Sequence, residues 1–239
     1  MKRLCYVYIA AVLLMPMVGE AYVPSPQNGA FELKFGPYTP KVGSSYKTSF
    51  GGDPMFLTVL ELDWQFWHPP GVSLAIGGSA GFMQAYGQAE LLDPDGNPTG
   101  DKSEDYSVLN VIPFSALFIA RVDALADLLD VPLVPYFKAG VNWYVWWMLE
   151  GGDIPEDQGE SGSGGTPGWQ INTGIMLRLD SFDRMSARTF DNEVGVNHSY
   201  IFAELMWAWV DGFGDDSNMN LSTNTFFGAT FLGGLCLEF

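Results

Sequence analysis

The sequence predicts an all-β fold, an eight-stranded antiparallel transmembrane β-barrel with long extracellular loops and two short periplasmic helical connections. Three observations carry this. Charged residues make up only 16% of the 239 residues while aromatics reach 15%, against about 25% charged in an ordinary soluble domain. Beyond the N-terminal segment no apolar stretch is long enough for a transmembrane helix. Apolar residues instead recur at every second position in segment after segment, the period of a strand with two unlike environments.

The chain opens on an export pattern. Lys2 and Arg3 precede an apolar run from Leu4 to Val18, followed by Gly19-Glu20-Ala21 with small residues where a cut is expected. Residues 1–21 are therefore read as a signal peptide and 22–239 as one barrel domain. Pro16 interrupts the run, which is shorter than the roughly 20 residues that span a bilayer. Cys5 leaves with the signal, so Cys236 is the single remaining cysteine and no internal disulfide forms. The net charge of -17 argues against nucleic acid as a partner.

There are eight candidate strands, seven of which alternate. Phe31, Leu33 and Phe35 oppose Glu32, Lys34 and Gly36; Phe56, Leu60, Leu62, Trp64 and Phe66 oppose Val59, Glu61, Asp63 and Gln65. Val72, Leu74, Ile76 and Phe82 oppose Ser73, Ala75, Gly77, Ser79 and Gly81. The stretch Tyr106 to Val122 is apolar on both faces and contains Pro113, which leaves its orientation open. Phe137 to Leu149 alternates with Tyr136, Lys138, Asn142, Tyr144 and Trp146, and Trp169 to Leu179 alternates with Gln170, Asn172, Met176 and Arg178. Ile201, Ala203, Leu205, Trp207 and Trp209 oppose Tyr200, Phe202, Glu204 and Met206, and a last segment runs from Phe227 to Phe239.

The connections sort into two kinds, as a barrel with unlike ends requires. Tyr38 to Pro54, an acidic loop through Asp93, Asp95, Asp101, Glu104 and Asp105, a Gly-rich loop from Gly151 to Gly168, and a loop through Asp215 and Asp216 are long and polar and are placed outside the cell. The opposite ends are joined by His68-Pro69-Pro70-Gly71, by Asp123 to Pro132 and by Asp180 to His198. Asp123 is placed to cap a short helix carrying Leu125, Leu128 and Leu129, and Ser181 to start another through Met185 and Phe190.

Alternation alone does not say which face is inside, and a soluble lipocalin-like barrel turns its apolar face inward. The interior of eight strands is only just wide enough to be filled by side chains, so the face of Gly, Ala and Ser fits inside better than the face of Trp and Phe. Trp64, Trp143, Trp147, Trp169, Trp207 and Trp209 gather toward strand ends, as an interfacial belt requires.

The C-terminus, Gly234-Leu235-Cys236-Leu237-Glu238-Phe239, resembles the terminal signature of outer-membrane barrels, in which an aromatic follows alternating apolar residues. The resemblance implies that Leu235, Leu237 and Phe239 form the assembly signal read by the barrel-assembly machinery. The wider pattern looks like the small OmpA-type and OmpW-type barrels, and Gly195 to Glu204 resembles outer-membrane barrel proteins of myxobacteria. These likenesses imply the cell outer membrane, with its lipid and lipopolysaccharide as surroundings, and carry no activity with them.

If the faces are so assigned, Glu32, Lys34, Glu61, Asp63, Lys138, Arg178, Glu204 and Glu238 point into the lumen. Such ions must pair, because an unpaired charge in a low-dielectric lumen is costly. The structural reading is a salt-bridge network that fills the lumen; the functional reading is a narrow selective pore with Arg178 and Lys138 as its positive centres. An enzyme is the contrasting class. His68 and His198 are the chain's two histidines, no G-x-S-x-G turn is present, and Ser199 beside His198 on a strand faces the opposite way. No cofactor is expected. Asp93, Asp95, Asn97 and Asp101 supply oxygens at the spacing of a calcium loop, without the closing bidentate Glu, so a solvated loop is the plainer reading and a Ca²⁺ site the alternative. The function expected is non-enzymatic, structural or interaction-based through acidic external loops. The alternatives are a narrow conduit and a component of an envelope motility or adhesion complex.

Overall fold

The structure is a computed structural model that describes residues 25–42, 50, 52–92, 98–150, 156–157, 160–215 and 217–239. The signal peptide, Asp93, Asp95 and Asn97 lie outside the described residues.

Eight strands close on themselves. They are β1 (Gly29–Tyr38), β2 (Met55–Trp67), β3 (Ser73–Leu92), β4 (Pro98–Arg121), β5 (Leu133–Glu150), β6 (Ser163–Arg178), β7 (His198–Trp209) and β8 (Thr230–Glu238). Each pairs antiparallel with its sequence neighbours, and β1 pairs with β8 through Ala30↔Glu238 to Phe35↔Gly233, which leaves no free edge. Residues Glu156–Asp157 and Glu160–Ser161 form a separate two-residue ladder in the loop between β5 and β6.

The register fixes the two faces. Leu60, Leu62, Trp64, Ile76, Phe137, Val141, Ile201 and Leu235 lie exposed on the outer wall, while their neighbours Glu61, Asp63, Ala75, Tyr136, Lys138, Tyr200 and Cys236 are buried inside. The open question at Tyr106 to Val122 is resolved: Leu109, Val111, Leu117, Ile119 and Arg121 are buried, and Phe114 and Phe118 face outward.

Several boundaries differ from the sequence expectation. The last strand begins at Thr230, because Phe226–Gly228 forms a 3-10 turn in which Phe227 takes a positive φ of 56°. Asp101, Glu104 and Asp105 stand on β4 rather than in a loop, since β3 and β4 continue as a hairpin past the end of the other strands. On the periplasmic side, helix α1 (Ala124–Leu128) does follow Asp123, but the Asp123 side chain makes no capping bond. Helix α2 (Arg184–Val194) is capped by Asp183, which accepts from the Met185 and Ser186 amides, rather than started at Ser181, and it ends on the left-handed Gly195.

Candidate functional site

The lumen is filled in three levels. At the periplasmic end lies a layer of ions, above it a thin polar layer of Ser79, Ser115, Asn142 and Gln170, and above that an apolar layer including Leu57, Met83, Leu109, Tyr144, Met206 and Leu221. The order follows from each strand. On β2 the inward residues run Met55, Leu57, Val59, Glu61, Asp63, Gln65 from outside to periplasm.

The ionic layer is built from five strands and the last residues of a sixth. Glu32 on β1 stands directly opposite Glu61 on β2, a like-charged pair that is unfavourable by itself. Lys138 resolves it, reaching across from β5 to place Nζ 2.6 Å from Glu32 Oε2 and to donate to Glu61 Oε1 as well. Lys34 donates to Glu61 at 2.7 Å and lies 3.2 Å from Glu32 and 3.5 Å from Glu204. Arg121, at the end of β4, donates to Asp63 at 2.7 Å, to Glu32 at 3.0 Å and to Glu238 at 2.6 Å.

Three cations thus face five carboxylates, and neutral donors supply part of the difference. Glu204 accepts from Tyr136 Oη at 3.0 Å and Asn172 Nδ2 at 2.9 Å; Glu238 accepts from Tyr200 Oη and Gln65 Nε2, both at 2.7 Å. Two glycines make the room. A Cβ at Gly77 would stand 2.2 Å from Asp63 Oδ1, and one at Gly174 would stand 2.5 Å from the Tyr136 hydroxyl that serves Glu204. Glu32, Glu61 and Asp63 approach one another closely enough to hold a metal ion. Lys34, Lys138 and Arg121 already hold both oxygens of each Glu and one of Asp63, so the arrangement is an ion-pair network.

Of the eight charges expected inside, seven meet in this layer. Arg178 stands apart at the periplasmic mouth, where it donates to Asp127 of α1 at 2.8 Å and lies over the Tyr200 ring. Its place in the network is taken by Arg121, which the sequence reading did not single out. The signal was present: a charged residue in register with Leu117 and Ile119 cannot face lipid, and so sets the phase of the whole strand.

The apolar layer is sealed from outside by the chain before β8. Leu221 and Thr223 extend the barrel ladder beside β7, with the Leu221 amide on the Val210 carbonyl at 2.8 Å and the Thr223 amide on the Ala208 carbonyl at 2.9 Å. Tyr38 Oη donates to the Leu221 carbonyl, and Pro40 bridges Thr223. Leu221 is fully buried by these contacts.

At the periplasmic end Asp180 gathers His198 and Ser199. Its Oδ2 lies 2.6 Å from His198 Nδ1, and its Oδ1 accepts from Ser199 Oγ at 3.0 Å and the Ser199 amide at 3.2 Å. Burial pushes the Asp180 carboxyl up, but the His198 ring and the Ser199 donors outweigh it and hold it below the usual carboxylate range. Ser199 and His198 bind the same carboxylate and make no bond to each other, so they form no nucleophile–base pair.

An exposed apolar belt around a closed barrel, with buried ions and no open edge, defines a membrane-spanning barrel of the outer-membrane class. Among solved structures, the chain is similar to Neisserial surface protein A at 9% identity, covering 89% of this chain and 97% of that one with a TM-score of 0.44. It is likewise similar to Ail of Yersinia pestis in complex with the heparin analogue sucrose octasulfate (8% identity, 91% and 100% covered, TM-score 0.43). OprG from Pseudomonas aeruginosa matches at 11% identity over 90% and 98% of the two chains, with a TM-score of 0.46. No protein-family model matches the chain, and no curated protein matches its sequence. These likenesses carry no weight for function, and the architecture stands on the closed ladder of this chain itself.

Proposed function

We propose that this protein is a non-enzymatic outer-membrane barrel that acts as a closed scaffold, holding external loops for structural or interaction purposes. The observation that carries this reading is the double closure of the lumen, by the ionic layer below and by the apolar layer around Leu221 and Tyr144 above. Eight strands enclose little more than the volume their own side chains fill, and here side chains occupy each of the three levels, with the bulkiest in the ionic and apolar layers. The acidic external loops read from the sequence supply the contact surface in this reading. Lipid and lipopolysaccharide are the surroundings, and the barrel-assembly machinery is the partner in biogenesis that the terminal strand fits.

The reading is tested by liposome swelling. Proteoliposomes with heat-modifiable, correctly folded barrel are expected to admit small sugars no faster than empty liposomes. Size-dependent sugar entry would replace the scaffold reading with the conduit.

A further inference from the structure

A groove of about 600 Å³ runs between helix α2 and the barrel wall at the periplasmic end. Its wall side is formed by Leu179 and Ser199. Register shows that Ser199 points outward, because its neighbour Tyr200 points in to meet Glu238, and Ser199 stands opposite the outward Leu237 on β8. The groove therefore opens beside the barrel rather than beneath its lumen. In an outer membrane that position is the headgroup level of the inner, phospholipid leaflet.

The chemistry of the groove is two-sided. Leu179, Met185 and Phe190 supply an apolar floor, and further apolar surface lies nearby, with Phe182 just before the helix 69% and Val194 at its end 62% exposed. The polar side carries Asp180, Asp183 and Glu193, and no basic residue lines it. Glu193 makes no ion pair or hydrogen bond among the described residues, while Asp183 caps the helix and Asp180 is held by His198 and Ser199. The apolar floor continues the lipid-facing wall above it, where Ile175 and Ile201 are exposed.

We infer that this groove seats one inner-leaflet phospholipid whose headgroup carries a primary amine. The ammonium is drawn to Glu193 and Asp183, and the upper acyl chain lies on Leu179, Met185 and Phe190. A headgroup with net negative charge meets three carboxylates and no basic residue there and is disfavoured. An occupied groove joins α2 to the barrel wall and fixes the helix in the plane of the leaflet.

The test uses the folded, full-length mature protein released from bilayers of equal phosphatidylethanolamine and phosphatidylglycerol, with retained lipids counted by native mass spectrometry. One phosphatidylethanolamine is expected to stay bound, in severalfold excess over phosphatidylglycerol. Glu193→Gln and Phe190→Ala should each lower its retention severalfold while heat-modifiability shows an intact barrel. Equal or preferential retention of phosphatidylglycerol, retention of neither lipid, or retention unchanged in both variants would overturn the assignment. Lipid-exposed labelling at Ile201→Cys serves as the control that the barrel sits in the bilayer, so its success with failure at the groove separates the two readings.

Discussion

Arg121 and Glu238 lie 117 positions apart and meet across the lumen at 2.6 Å, Nη1 to Oε1. The contact joins the end of β4 to the penultimate residue of the chain, one position before the terminal Phe239. The ionic layer and the final strand are thereby one structural unit: β8 completes the barrel ladder and at the same time brings in the carboxylate that Arg121 needs.

Arg121 is the residue whose removal should cost most. Arg121→Ala leaves Asp63, Glu238 and part of Glu32 buried without their cation, and breaking such a network by one partner typically costs about 3–5 kcal/mol. Urea unfolding from lipid bilayers should show that loss. Adding Asp63→Asn and Glu238→Gln to Arg121→Ala should recover part of it, because the uncompensated charges are removed together. An Arg178→Ala variant, whose guanidinium serves Asp127 at the mouth, should lose much less.

Acidification should loosen the periplasmic end before the barrel. The Asp180 carboxyl is held below the usual carboxylate range in the folded state, so the stability it contributes is present above the unfolded carboxylate pKa and is lost as pH falls through the lower folded value. The protection factor of the Ser199 amide against hydrogen exchange, set by its bond to Asp180 at 3.2 Å, should fall in that acidic window and stay high above it. Asp180→Asn should lower this protection at neutral pH and remove most of its pH dependence.

The terminal aromatic makes a separate prediction. The Phe239 amide donates to the Gly29 carbonyl at 2.9 Å, and the Gly29 amide donates back to the Phe239 carbonyl at 2.7 Å, closing the β1–β8 seam. Replacing Phe239 with Asp should lower the amount of barrel in the outer membrane and raise periplasmic degradation, as seen by fractionation and immunoblotting. Undiminished membrane levels would show that the seam assembles without this ring.

How much of this was legible from sequence depends on where the two faces differ chemically. Where the lumen is polar, Glu32 and Lys34 beside Phe31 and Leu33, or Lys138 beside Phe137 and Ala139, alternate plainly against lipid. Where the lumen is itself apolar, at Leu109 and Val111, the inside and outside of β4 read alike, and Arg121 alone marks the phase. The β3–β4 ladder runs on beyond the last pair of β4 with β5, so Asp101 and Glu104 stand on a strand in a stretch whose charge reads as loop. Phe227 fits the alternation of the last segment only by spacing, since its positive φ takes it out of the ladder.

Closure of the lumen is read out by single-channel recording in planar bilayers. Wild-type barrel, shown folded by its heat-dependent mobility, should give no steady ion-selective current, because Lys34, Lys138 and Arg121 with their carboxylates fill the lower lumen and Tyr38, Tyr144 and Leu221 fill the upper. Reproducible openings from wild type, with a selectivity that changes in Lys138→Gln while the barrel remains folded, would contradict the account and show that the charged layer lines a path.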